Sequence, residues 1–209
     1  VSGGRPWLSL GLAAAALAIG AVPGLGAALD WRPGAAPWRL LTCQLTHWDA
    51  GHLEWDALAM VILGAWAESR WPASARRGLV AAVLLVPAAV AMVHPGLAFR
   101  GLSGLACALA AGGALAAWQE ARAGRDLLAE GVAGALLGGL LAKIAYELAT
   151  GATVFADAAG WRPLPLAHLA GACAGLLAAA QAPACWRRQA WGDSPVARLS
   201  ASPRRVAEA

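Results

Sequence analysis

Six apolar runs, each close to the roughly 17 to 25 residues that carry an α-helix across a hydrocarbon core, constrain this chain more than any single motif in it. They fall at 7–29, 52–69, 78–94, 101–118, 127–149 and 163–182. With 59% hydrophobic and only 13% charged residues over 209 positions, the chain lacks the polar surface that a soluble domain of this size needs. The pattern predicts an all-α, polytopic membrane protein with six spans. Because the runs are rich in Ala and Gly rather than Leu and Ile, their existence is clearer than their edges. The first run follows Arg5 and ends near Ala27-Ala28, which also resembles a secretory signal peptide. Its length and the membrane protein that follows favour a first span.

Basic residues close to spans are retained on the cytoplasmic side. With the amino terminus inside, eleven of the sixteen Lys and Arg fall in inner segments: Arg5; Arg70, Arg76 and Arg77; Arg122 and Arg125; and five in the tail. Only Arg32, Arg39, Arg100 and Arg162 fall outside, and Lys143 lies within the fifth span. Both termini are therefore expected in the cytoplasm. The net charge of +4 is what inner-face loops require and calls for no nucleic-acid partner. Tryptophans near proposed span ends, such as Trp7, Trp31, Trp48, Trp71 and Trp161, fit interfacial anchors. Residues 1–185 read as one six-helix domain. Residues 186–209, with Arg187-Arg188, Pro195, Pro203 and Arg204-Arg205, read as a short basic tail that is disordered or lies on anionic headgroups.

In this topology the second, fourth and sixth spans run in the same direction, which places His52, Ser103 and His168 near the outer ends of three parallel helices. Polar groups in a membrane are costly and mark function by default. His47 and His94 share that side, and His94 is explained by ending a helix at the interface. A serine hydroxyl is a weak nucleophile that needs a base within hydrogen-bond reach, and neutral imidazole suits that task near pH 7. Ser103 would attack and His168 would take its proton. Small residues surround both: Gly104, Ala108 and Gly112 in one span, Gly171 and Gly175 in the other. Such spacing lets two helices approach closely. Gly112-Gly113 and Gly138-Gly139 are packing or bending positions.

Other polar features carry less. Lys143 and Glu147, one helical turn apart, are expected to neutralise each other within the fifth span. Cys43, Cys107, Cys173 and Cys185 have no spacing that indicates a disulfide framework or zinc motif. His47, His52 and Asp56 could be drawn as metal ligands, but hydrogen bonding is the favoured reading of that spacing, and neither metal nor organic cofactor is expected.

The chain resembles rhomboid intramembrane serine proteases. Gly101-Leu102-Ser103-Gly104 is similar to the rhomboid GxSG nucleophile motif, and Ala167-His168 followed by Gly171 and Gly175 to its span-six histidine motif. Trp38-Arg39, Thr42, His47, His52 and position 56 resemble the first outer loop and the start of span two. Glu68 with Arg70 resembles the charged pair that closes span two. Within the family, the compact frame and the run from His47 to Asp56 are most similar to the rhombosortase branch. That resemblance implies cleavage of membrane-anchored proteins near the outer face, at C-terminal GlyGly-CTERM tails of secreted proteins. It also implies a bacterial inner-membrane location with the active site toward the periplasm. His52, Asp56, Gly101 and Gly104 would support the oxyanion. Alternatives from other classes are a catalytically silent rhomboid-like protein that binds or sorts membrane clients and, with less to motivate it, a small transporter.

Two positions depart from the rhomboid pattern. Asp56 stands where rhomboids usually place an asparagine, and an ionised carboxylate facing a developing oxyanion would oppose catalysis. The expectation is that Asp56 instead orients His52 or keeps it protonated as a donor, with the Ser103 backbone N–H as the second donor. Cys107 stands where many rhomboids pack a tyrosine against the catalytic histidine, so another group must orient His168.

Overall fold

A computed structural model describes residues 4–154 and 161–181. The tail expectation for 186–209, the boundary at 185, Cys185 and the last residue of the sixth run lie outside the described residues.

The first apolar run does not make one long helix. Helix α1 spans Trp7–Gly20 and a five-residue α2 spans Leu25–Leu29. Pro23 removes a backbone donor and disfavours helical backbone at Val22. Gly24 then takes φ +79°, a conformation that costs glycine little. After a short α3 (Arg39–Thr42) and a 3-10 turn at Cys43–Leu45, helix α4 covers Ala50–Arg70, with the Asp49 side chain accepting from His52 N. Helix α5 spans Pro72–Val93, starting six residues before the apolar run does. The reason is Pro72 at its first position, where the missing N–H costs nothing. Helix α6 covers Ser103–Gly124, α7 Leu127–Thr150 and α8 Pro165–Ala180. Of these, α5 and α7 are long and apolar enough to cross a membrane, while α1 and α8 are apolar but shorter.

Helix α6 is the axis of the molecule. Leu102, Leu105 and Leu109 are fully buried, as are most of its alanines and glycines. Its closest neighbour is α8. A Cβ built at Gly171 would fall on the Gly104 carbonyl, and one at Gly175 on the Ala108 carbonyl. The absence of side chains there lets the two backbones touch, as small-residue stripes do in bilayers. Helix α7 is the opposite case: Ala133, Ile144 and Glu147 are buried, while Leu127, Leu128, Val132 and Leu136 are exposed. A Cβ built at Gly138 or Gly139 would meet no neighbouring atom within 4 Å among the described residues, so close helix contact, one of the two roles expected of that pair, is not found there.

At the Arg70 end of the bundle, Glu68 is completely buried. It accepts from the Leu8 and Ser9 N–H groups and the Ser9 hydroxyl, which ties α4 to the start of α1. Its ion-pair partner is Arg76 at 3.0 Å, whereas Arg70 pairs with Glu120. The Glu68–Arg70 pairing expected from sequence is thus corrected. Arg70 follows Glu68 by two positions, so the two side chains leave different faces of α4.

Candidate active site

Ser103 opens α6, and the residue before it, Leu102, offers no capping side chain. The first N–H groups of a helix lack intrahelical acceptors and carry partial positive charge. A carboxylate from α4 meets that need. Asp56 Oδ2 accepts from Leu102 N at 2.7 Å and from Ser103 N at 3.0 Å. The same oxygen faces His47 Nε2 at 3.1 Å and His52 Nε2 at 3.4 Å. Gly101 makes this approach possible: it has φ +116°, and a Cβ there would lie 2.9 Å from the His52 ring.

One expectation for this corner changes. The Ser103 N–H does not stand free as an oxyanion donor, because Asp56 holds it. His52 turns Nε2 toward Asp56, and its Nδ1 is buried with no partner among the described residues. The His52 ring is held flat against Trp161, with centroids 4.7 Å apart, and Trp161 stacks in turn near Trp48. Trp161 Nε1 donates to Asp49 Oδ2 at 3.0 Å. Arg100 lies over Trp48, pairs with Asp30 and donates to the His47 carbonyl. These contacts fix the loop that leads to Ser103.

His168 lies in the first turns of α8. Its Nδ1 is 2.6 Å from Glu147 Oε2. Glu147, 1% exposed, is fully engaged: Oε1 accepts from Lys143 Nζ at 2.7 Å and from Val154 N at 3.1 Å. Lys143 Nζ is also 3.5 Å from His168 Nδ1, too long for a strong hydrogen bond. The Lys143–Glu147 pair expected from sequence exists, but it is not merely local. Its carboxylate also reaches His168, the histidine for which the cysteine at 107 left no orienting partner.

Ser103, His168, His52, Asp56, Lys143 and Glu147 all line one cavity of about 360 Å³. No hydrogen bond joins Ser103 to His168 among the described residues, a looseness common before substrate binds. His94 ends α5 and stands outside the cavity. Cys107 lines the wall. In the loop before α4, burial pushes the Cys43 thiol up to about 12, so it is not a competing nucleophile near neutral pH.

The Rhomboid domain family model matches residues 34–183, a segment that contains every residue of this cavity. The chain belongs to the rhomboid family. Rhomboids are intramembrane serine proteases that act on membrane proteins within the bilayer, and α5 and α7 of this rhomboid have the length and apolarity to cross one. No curated protein matches the chain. The sequence points to Ser103, His168, His52 and Asp56, and to hydrogen bonding among His47, His52 and Asp56; the contacts of Glu147 with His168 and of Trp161 with His52 emerge only in the structure. For Glu147 the available signal was a buried carboxylate inside an apolar run.

Proposed function

We propose that this rhomboid is a serine endopeptidase in which Ser103 is the nucleophile and His168 the general base and acid. The observation that carries this reading is that α6 and α8 touch backbone to backbone at Gly104 and Gly171, next to a serine and a histidine that open into one cavity. His168 Nε2 takes the Ser103 hydroxyl proton as Oγ attacks the scissile carbonyl. The protonated imidazole then gives that proton to the leaving amine, and water hydrolyses the acyl-enzyme by the reverse use of the same base. For the oxyanion to use the Ser103 N–H, the Asp56 carboxylate has to release it. An asparagine at that position would not carry the same charge conflict.

The substrates are membrane-anchored proteins cut near the outer face, and the resemblance to rhombosortases points to C-terminal GlyGly-CTERM tails. In this reading helices α1, α4, α5, α6, α7 and α8 are the six spans, both termini are cytoplasmic, and the site opens toward the periplasm of a bacterial inner membrane. A reporter with such a tail, expressed in a host without other rhomboids, tests the proposal. Wild type should cleave it, and Ser103→Ala and His168→Ala should not. Destroying the tail glycines should abolish processing, and unchanged cleavage would return the substrate class to membrane proteins in general.

A second reading, a silent rhomboid-like protein that binds or sorts membrane clients, draws on one observation: Asp56 occupies the Ser103 N–H. A fluorophosphonate probe separates the two readings, since an activated Ser103 is labelled and an idle one is not.

A further inference from the structure

We infer that Glu147 is the positioning residue of this active site, so that Ser103, His168 and Glu147 act as a triad with the acid supplied by α7. The inference rests on the protease reading of the same cavity. His168 Nδ1 and Glu147 Oε2 are 2.6 Å apart, the length of a strong, charge-assisted hydrogen bond. A carboxylate can only accept, so Nδ1 carries the proton, and in the neutral imidazole Nε2 is left with its lone pair. That is the tautomer a general base for Ser103 requires. The reverse tautomer would set the Nδ1 lone pair against a carboxylate and leave Nε2 unable to take a proton.

The surroundings of Glu147 hold it in this role. Lys143 and the Val154 N–H both bind Oε1, which leaves Oε2 for the imidazole. Lys143 places a positive charge 3.5 Å from Nδ1; without Glu147, that charge would oppose the imidazolium formed when Ser103 gives up its proton. Other ionisable groups lining the cavity are His52 and Asp56 from α4, Cys107 from α6, and Arg100 and Arg162 from the loops. None of these is hydrogen-bonded to His168 among the described residues; the carboxylate that meets its ring there is Glu147, from α7.

The test is the rate at which a fluorophosphonate labels Ser103 in the full-length protein in detergent or nanodiscs, together with kcat and KM on a cleavable reporter. Glu147→Gln keeps the shape but loses the charge and the obligatory acceptor. It should slow labelling and lower kcat by about 10²- to 10⁴-fold, with KM within a few-fold of wild type. Glu147→Asp keeps the charge but withdraws it by one methylene, and should recover part of that loss. A merely structural carboxylate would give the reverse ranking, with the isosteric Gln tolerated and the shorter Asp not. If Glu147→Gln does not fold, the Asp variant still decides: slowed but measurable labelling is expected, and a folded Asp variant that does not label would overturn the inference. Glu147→Gln labelling at the wild-type rate, while Ser103→Ala is inert, would also overturn it and leave the protease reading standing. Wild type that neither labels nor cleaves would overturn both.

Discussion

Two buried carboxylates flank Ser103, and they do opposite things. Asp56, on α4, spends one oxygen on backbone N–H groups at the start of α6 and on two histidines. Glu147, on α7, spends one oxygen on a lysine and a backbone N–H and offers the other to His168. The first stabilises a helix end and covers the very donor that an oxyanion would use. In the proposed reaction the second orients the base and occupies nothing that the chemistry needs. The same functional group thus restrains one side of a site and prepares the other, according to whether its acceptor oxygen faces a developing negative or a developing positive charge.

The sharpest way to break this comparison is to remove each charge while keeping each shape. Glu147→Gln should have the largest effect, near a 10³-fold loss of kcat, or about 4 kcal/mol of transition-state stabilisation. If Asp56→Asn proves equally damaging, the two carboxylates are not different in kind. Next comes Gly171→Ala, which pushes a methyl onto the Gly104 carbonyl and separates α6 from α8. A stability loss of about 1–3 kcal/mol, read as a lower melting temperature, should accompany falling activity, because both halves of the site move. Asp56→Ala ranks third: losing the acceptor at the start of α6 should cost about 1–2 kcal/mol and reduce turnover. Full activity in that variant would remove Asp56 from the mechanism. The smallest effect belongs to Asp56→Asn, where kcat should rise a few-fold, under about 1 kcal/mol, as the carboxylate no longer competes with the oxyanion for Ser103 N–H. Steady-state kinetics on one reporter would rank all four.

Much of the helical layout was legible because apolar runs announce themselves by length. The departures have local causes: Pro23 and Gly24 split the first run, and Pro72 starts α5 early. Glu68 was read with the wrong arginine, since proximity in sequence is not proximity on a helix surface. Glu147 was visible but misjudged. Its neighbour Lys143 offered a sufficient explanation within one turn, and nothing local indicates a histidine 21 residues further on.

By itself, the sequence determined an apolar helical chain in which Ser103 and His168 are conspicuous, because polar side chains at membrane depth are expensive and rarely idle. It also determined where two helices can touch, since glycine stripes are a property of composition and period. Only the tertiary structure decided what each carboxylate faces. A hydrogen bond acts over about 3 Å, and whether Asp56 meets a helix end or Glu147 meets an imidazole depends on how α4, α7 and α8 are rotated against α6. The packing of whole helices sets that rotation, and no spacing within one of them encodes it.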